Sequence, residues 1–416
     1  MFLKAFLDNF VNSKYRLIER DHIFFDIQHK KFVNLFKKNC NNLESNLSLK
    51  QTKLMKSILQ LLLITCLIGK SYAQENDKNI FNKTDAYIEN TIDSLKIIGL
   101  NYVILVDNKI VHKKSFGFAQ AQLKSQMTID KSFPVASISK LFSSVALHKL
   151  LSINKRNVNE TVEDFLPNRN DLPETWKKIT LKQLLSHTSG VPDQIDYQIY
   201  LAPDSEKFVV DNLRDKPFSS IPGTESKYNA TGFLLIRAII EKLANQDFES
   251  YMQAEYFNKL NLSSAKYGGF KKVIPNRVTC YQNRNGSLEM FPLNYSPPMY
   301  AGAGLNISIN DLTKWFQAIQ KEKILTKEKL KEIWTPVKLN NGKDGYFGLG
   351  WESYRLQDNY RMVGHGGAGI SSFRHYWNEK TNQNITVILL TNGALNWTIR
   401  PNQMNSKIAT MILKNE

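Results

Sequence analysis

The octapeptide FPVASISK at residues 133–140 places a serine and a lysine three positions apart, Ser137 and Lys140. A serine hydroxyl is a poor nucleophile near neutral pH, so a serine hydrolase needs a proton acceptor within hydrogen-bond reach of the oxygen. Residues three apart lie on one face of a helix, and a lysine at that position can serve as the acceptor. The pair therefore indicates acyl transfer with Ser137 as the nucleophile.

The pattern Ser-x-x-Lys is not specific by itself, because the chain contains it twice more. The other pairs are Ser152/Lys155, near the end of the predicted helix, and Ser263/Lys266, in a polar segment typical of a loop. An equally simple interpretation of Ser137 is a serine that caps a helix, followed by a solvated lysine. The elements around the pair must decide between these interpretations.

The elements that would position Ser137 follow from the spacing of apolar residues. After Ser137 the apolar side chains recur at helical spacing, which predicts a helix beginning at the serine. A strand hairpin is predicted over 102–118. Further strands are predicted at 361–364, 370–377 and 385–391, and helices at 77–98, 181–185, 232–244, 310–320 and 402–413.

The order of these elements predicts the fold class. Strands come from both ends of the chain and helices from its middle. We therefore expect an α+β fold, in which one antiparallel sheet of N- and C-terminal strands is flanked by terminal helices and carries an inserted, mostly helical subdomain. A cleft between the sheet and the inserted subdomain is a natural ligand site.

The N-terminal part of the chain has the organisation of an export signal. A charged start, a short apolar core and a small-residue cleavage site follow one another over 55–73, as in a secretory signal peptide cleaved after Ala73. We interpret 1–54 as a non-native or unstructured extension upstream of Met55, and 74–416 as one exported domain, periplasmic or secreted. A retained anchor is the minor alternative, since the apolar core is short for a membrane span.

Composition argues against several classes of function. The formal net charge of +17 could indicate nucleic acid or an anionic surface as partner. The lysines are scattered rather than clustered, which favours a solvated surface over nucleic acid and leaves affinity for an anionic cell envelope open. Of three cysteines only Cys280 follows the predicted signal peptide, so the exported part can form no internal disulfide. No metal-binding pattern is present, and we expect no cofactor.

Three further stretches support the catalytic interpretation of Ser137. They are LLSHTSG with His187, IPGTESKYNATGF with Tyr228, and the glycine-rich VGHGGAGISSF with His365. With FPVASISK, AGAGLNISINDLTKW and YFGLGW in this order, the chain resembles the beta-lactamase-like, penicillin-recognising serine hydrolases. It is most similar to the branch of class C beta-lactamases and their esterase and D-Ala-D-Ala peptidase relatives. The resemblance covers nearly all of 74–416 and implies a beta-lactamase/transpeptidase-like fold.

The resemblance implies a catalytic role for four side chains. Ser137 would be the acylated nucleophile and Lys140 its proton acceptor, kept partly neutral by burial or by neighbouring positive charge. Tyr228 would relay the proton from Ser137 to the leaving group, with His365 as its partner. If His365 must be neutral to accept a hydrogen bond from Tyr228, activity should fall below about pH 6.5. The resemblance assigns no chemistry to His187, for which a structural role is favoured.

The resemblance also implies how the oxyanion is bound. The backbone N–H groups of Ser137 and Ala368 would form the oxyanion hole. Gly366 and Gly367, in the segment that includes His365, would let their strand approach the substrate closely.

Two departures from the family pattern bear on the substrate. The family's Tyr-x-Asn motif here ends in Ala230, and the adjacent Asn229 should point elsewhere. The third motif, His365-Gly366-Gly367, lacks the lysine and the hydroxyl that help lactamases and transpeptidases to hold a substrate carboxylate. Arg374 could replace that anchor only if it faces the cleft.

The sequence thus predicts an exported serine hydrolase that forms an acyl-enzyme on Ser137 with an ester or a small amide or peptide. Two alternatives stay open. One is a catalytically impaired binding or sensor module of the same fold, suggested by Ala230. The other is a D-Ala-D-Ala carboxypeptidase or a beta-lactamase.

Overall fold

A computed structural model describes residues 80–197 and 202–414. The predicted extension and signal peptide, 1–54 and 55–73, lie outside the described residues. Two units divide the described chain: one holds 80–88 and Lys414, and the other is Glu89–Leu413, which contains all the strands given below. Among the described helices, none has the length and apolar character needed to cross a membrane.

The strands come from both ends of the chain, as predicted. In chain order they are β1 (Gly99–Val106), β2 (Lys109–Gln120), β3 (Ser125–Gln126), β4 (Ser132–Pro134), β5 (Lys266–Tyr267), β6 (Tyr281–Arg284), β7 (Ser287–Met290), β8 (Leu305–Ser308), β9 (Glu352–Arg355), β10 (Tyr360–Gly367), β11 (Ser371–Asn378) and β12 (Asn384–Thr391). The main sheet has the spatial order β3-β2-β1-β12-β11-β10-β9 and is antiparallel at every pairing. Two small sheets, β4-β8-β5 and β6-β7, accompany it.

The two ends of the chain meet at the centre of the main sheet, where β1 pairs with β12. Both strands are apolar along most of their length, and all eight residues of β1 are buried. Continuous apolar runs are typical of strands covered on both faces. The turn from β1 to β2 places Asp107 and Asn108 at positive φ, 46° and 62°, as a tight hairpin of this hand requires.

Helices fill the middle of the chain, between β4 and β9, and form the predicted inserted subdomain. They are α2 (Ser139–Ile153), α3 (Val162–Phe165), α4 (Glu174–Lys177), α5 (Leu181–Leu185), α6 (Glu206–Leu213), α7 (Thr231–Ala244), α8 (Phe248–Met252), α9 (Ile309–Gln320) and α10 (Lys327–Trp334). Two terminal helices accompany them, α1 (80–95) before β1 and α11 (Pro401–Lys414) after β12. Within 80–197 and 202–414 there are also three 3-10 segments, Ala136–Ile138, Pro297–Met299 and Gln357–Asn359, and a π-helical turn, Gln253–Asn258. The predicted α+β class is therefore confirmed.

Helix α2 lies in the core and carries the first motif at its start. Twelve of its 15 residues are buried, which is typical of a helix surrounded by other elements. Phe142 of α2 stacks on Trp315 of α9, with ring centroids 3.9 Å apart, and Trp315 in turn contacts Phe373 of β11. The core thus joins α2 to both the inserted subdomain and the sheet.

Candidate active site

Ser137 lies in a sharp turn between β4 and α2. The 3-10 segment Ala136–Ile138 contains it, and α2 begins at Ser139, two residues later than predicted. Ala136 has a φ of 46°, a left-handed conformation that costs an L-residue about 1–2 kcal/mol. The Ser139 hydroxyl donates to Ala136 O and accepts from Leu305 N, which holds the turn in place. The turn leaves the Ser137 side chain half-buried rather than enclosed.

Three of the predicted catalytic side chains meet at Ser137 Oγ. The Tyr228 hydroxyl lies 2.6 Å from it, and Lys140 Nζ lies 3.2 Å from it. Lys140 Nζ also donates to the carbonyl oxygen of Gly302, at 2.8 Å. The predicted nucleophile, proton acceptor and relay are therefore brought within hydrogen-bond distance of one oxygen, although 91 residues separate Ser137 from Tyr228.

The Lys140 amine is almost fully withdrawn from water. Its side chain is 2% exposed, and the rings of Tyr228 and Phe233 both lie 5.0 Å from Nζ. Burial lowers the pKa of Lys140 to about 7, against the opposing attraction of Asp193. A large fraction of the amine is consequently neutral near neutral pH and able to accept a proton. Of the two causes of neutrality expected from the sequence, burial is the one at work.

Tyr228 is suited to relay a proton rather than to act as a permanent base. Burial raises the pKa of its phenol well above the usual range, and the hydrogen bond with Ser137 opposes this only in part. The hydroxyl therefore keeps its proton near neutral pH. It can accept a hydrogen bond from one side and donate one to the other.

The residues after Tyr228 tie it to the start of α7. The amide of Asn229 donates to Val191 O and accepts from Gly232 N, both at 2.7 Å. The Asp193 carboxylate accepts from the backbone N–H of Ala230 at 3.1 Å. As predicted, Asn229 is engaged away from Ser137 Oγ. Its amide and the Asp193 carboxylate satisfy N–H groups that a helix start leaves without partners.

His365 is buried beside Tyr228 but does not pair with it. The two ring centroids are 5.9 Å apart. His365 Nδ1 lies 2.6 Å from Gly366 O, and Nε2 has no hydrogen-bond partner within 80–197 and 202–414. Burial lowers the pKa of His365 to about 4, against the attraction of Glu352. The expectation that His365 would reduce activity below about pH 6.5 therefore needs correction, because the ring is neutral well below that pH.

The end of β10 packs directly against the turn that carries Ser137. A Cβ on Gly367 would lie only 2.4 Å from Val135 O, so a residue without a side chain is required there. Ala368 follows in the turn to β11, at a φ of 47°. A cavity of about 730 Å³ is lined by Ala368, Trp397 and Arg400. The close approach places the two predicted oxyanion residues, Ser137 and Ala368, on neighbouring segments, and Ala368 is the one that lines this cavity.

Sequence reasoning missed Glu352, which anchors the glycine-rich strand. Its carboxylate accepts from Gly366 N at 3.0 Å and from Arg374 Nη2 at 2.7 Å. Because Arg374 is 3% exposed and paired in this way, it offers no free guanidinium to a substrate carboxylate. Glu352 directly follows the YFGLGW stretch, but no spacing rule in the sequence connects it with Arg374.

Comparison with known proteins places this site in a family. The Beta-lactamase family model matches residues 84–401. The chain belongs to the beta-lactamase family. Its members include serine hydrolases, so the superfamily predicted from the motifs is confirmed.

The named relatives found by sequence comparison have low sequence identity to this chain. Penicillin-binding protein 4* of Bacillus subtilis (strain 168) is 25% identical over 278 residues, which cover 62% of this chain and 60% of that protein. The chain spans about three fifths of the length of the curated relatives it matches first.

Solved structures of the family share the fold. The octameric penicillin-binding protein homologue from Pyrococcus abyssi has a TM-score of 0.67 at 22% identity, covering 80% of this chain and 77% of that one. The D-amino acid amidase from Ochrobactrum anthropi SV3, complexed with D-phenylalanine, has a TM-score of 0.65 at 18% identity, covering 81% and 100%. These similarities confirm the beta-lactamase/transpeptidase-like fold.

Proposed function

We propose that this protein is a serine hydrolase that forms an acyl-enzyme on Ser137 and acts on an ester or a small amide or peptide. The observation that carries the proposal is the contact of Ser137 Oγ with Tyr228 OH at 2.6 Å and with the buried Lys140 Nζ at 3.2 Å. A serine with a neutralised amine and a phenol at hydrogen-bond distance has both a base and a proton relay.

In the acylation step, Ser137 Oγ attacks the carbonyl carbon and neutral Lys140 takes the hydroxyl proton. The carbonyl oxygen becomes an oxyanion, which the backbone N–H groups of Ser137 and Ala368 would stabilise. Tyr228 then gives its phenolic proton to the leaving oxygen or nitrogen as the bond to carbon breaks, and Lys140 returns a proton to Tyr228. Water attacks the resulting ester by the same route, which releases the acid and restores Ser137.

Two features favour an uncharged group on the substrate beside the glycine-rich strand. His365-Gly366-Gly367 brings no lysine to that strand, and Glu352 neutralises Arg374. Esters and amino-acid amides have no carboxylate at this position, and a structural neighbour is named a D-amino acid amidase.

A D-Ala-D-Ala carboxypeptidase is the second candidate. It is favoured by Arg400, which lines the cavity beside Ala368 and whose guanidinium carbon lies 5.6 Å from the centroid of the Trp397 ring. Comparing kcat/KM for D-phenylalanine amide with that for a peptide ending in D-Ala-D-Ala separates the two candidates. If carboxylate substrates are preferred and Arg400→Ala removes that preference, the carboxypeptidase is supported.

A fluorophosphonate, which modifies activated serines, tests the proposed function. Intact mass should show one adduct on the wild type and on the matched variant Ser152→Ala, and none on Ser137→Ala. Circular dichroism should show that all three proteins are folded. Undiminished labelling or ester turnover in Ser137→Ala would contradict the mechanism, and a folded wild type that never labels would favour the binding module.

We also propose that the protein is exported, on the basis of the signal-peptide pattern at 55–73. The intact mass of protein recovered outside the cytoplasm of a bacterial host should correspond to cleavage after Ala73. A mass that retains 55–73 would contradict this part of the proposal.

A further inference from the structure

His187, for which the sequence suggested only a structural role, contacts Tyr228 and both of its neighbours in the chain. Its backbone oxygen accepts from the N–H of Lys227 at 2.9 Å. Its Nδ1 accepts from the N–H of Asn229 at 3.1 Å. Its ring lies against that of Tyr228, with centroids 4.7 Å apart and planes tilted by 39°. One histidine thus holds the residue before Tyr228, the residue after it, and the phenol ring itself.

The hydrogen bond with Asn229 determines the protonation state of His187. A backbone N–H can only donate, so Nδ1 must present its lone pair and the ring proton lies on Nε2. Burial lowers the pKa of His187 well below the usual range, and the neighbouring Lys140 amine lowers it further. The ring therefore stays neutral, and the bond from Asn229 persists over the pH range in which Lys140 titrates.

The His187 ring is itself held from the side. Phe347 packs edge-on against it, with centroids 4.5 Å apart and planes at 74°. The His187 backbone has a φ of 56°, a conformation in which histidine is more common than most residues. This geometry turns the ring towards Tyr228 at the point where the chain leaves α5.

His375 shows what a buried histidine with a packing role looks like in the same molecule. It is as buried as His187, at 3% against 2% exposed. Its Nδ1 bonds the hydroxyl of Thr386, and its ring contacts Phe316 and Trp334. None of these neighbours belongs to the candidate active site, so His375 provides a matched control for burial and size.

We propose that His187 is a positioning residue, which fixes the Tyr228 hydroxyl at the distance from Ser137 Oγ that proton relay requires. The inference rests on the proposed function, because it concerns the same site. Small displacements of a reacting group reduce rates steeply, by about a hundredfold for 1 Å. Losing His187 should therefore slow acylation while leaving the binding of the reagent nearly unchanged.

Two substitutions separate the contacts of His187. His187→Phe keeps an aromatic ring beside Tyr228 but removes the acceptor for Asn229. His187→Asn keeps a short acceptor and tolerates the positive φ but removes the ring. With a fluorophosphonate, the maximal rate of Ser137 labelling should fall about tenfold to a hundredfold in His187→Phe, with a smaller fall in His187→Asn. The concentration for half-maximal rate should change little, and His375→Asn should label within about twofold of the wild type.

A double-mutant cycle with Tyr228→Phe distinguishes positioning from general destabilisation. Tyr228→Phe removes the hydroxyl that His187 is proposed to position. In that background, His187→Phe should lower the maximal labelling rate by less than about twofold. The same loss in both backgrounds would overturn the inference, as would wild-type rates in both His187 variants. If His187→Phe does not fold, the cycle is run with His187→Asn. A wild type that does not label at all would instead overturn the proposed function.

Discussion

The two ends of helix α2 carry the same pattern in different surroundings. At its start, Ser137 Oγ contacts both Lys140 and Tyr228, and the Lys140 side chain is almost fully buried. At its end, Ser152 is exposed and its hydroxyl donates to His148 O in the same helix, while Lys155 is exposed. The comparison teaches that Ser-x-x-Lys becomes a candidate catalytic pair only where other elements bury the amine and supply a third group.

The third occurrence of the pattern leads to the same conclusion. Ser263 and Lys266 line a cavity of about 560 Å³, together with Asp311 and Lys314. Lys266 is exposed, whereas Lys140 donates to Gly302 O from inside the protein. Burial of the amine, rather than the spacing of the two residues, therefore distinguishes the first pair from the others.

The largest effect is expected when the buried amine of Lys140 is removed. Lys140→Met keeps a long flexible side chain in the core but removes the base, so ester hydrolysis and fluorophosphonate labelling should fall about a thousandfold. The matched variant Lys155→Met, at the other end of α2, should stay within about twofold of the wild type. If Lys140→Met and Lys155→Met lowered the labelling rate equally, the proposed functional difference between the two ends of α2 would be contradicted.

A smaller effect is expected from pH: the rate of Ser137 labelling should fall as the pH is lowered. An amine is protonated below its pKa, and protonated Lys140 cannot accept the Ser137 proton. With the pKa of Lys140 at about 7, the labelling rate should reach its plateau above that pH and fall about tenfold for each pH unit below it.

The matched variant Lys155→Met should show the same pH dependence of the labelling rate as the wild type. Because the pKa of His365 lies at about 4, His365 should add no further fall above about pH 5. A flat profile between about pH 5 and pH 8 would contradict the role of Lys140 as the base.

The smallest effect is expected from a change at Gly302, whose carbonyl oxygen accepts the hydrogen bond from the Lys140 amine. A Cβ on Gly302 would lie 3.3 Å from Lys140 Nζ and 3.1 Å from Phe233 Cβ. Gly302→Ala should shift the amine and lower the labelling rate several-fold, with a stability loss of about 1–3 kcal/mol from overpacking. Chemical denaturation measures the second effect separately. A lowered stability with an unchanged rate would mean that the position of the amine is not critical.

Much of the fold could be predicted because it depends on local patterns. The apolar runs of β1 and β12 and the helical spacing after Ser137 were visible in the sequence, and element ends were off by only a few residues. The start of α2 was misplaced because the left-handed conformation of Ala136 is stabilised by bonds from Ser139, which depend in turn on β8. The pairing of Glu352 with Arg374 and the contacts of His187 were not predictable, since each joins segments distant in the chain.

The sequence by itself determined which side chains were available for chemistry, their order along the chain, and the family they indicate. The tertiary structure alone decided which Ser-x-x-Lys pair has a buried amine, that His365 has a lowered pKa without a bond to Tyr228, and that Arg374 is paired. The physical reason is that pKa values and hydrogen bonds depend on desolvation and on distances of a few ångströms. Those quantities are set by packing between remote segments, and residue spacing along one segment does not contain them.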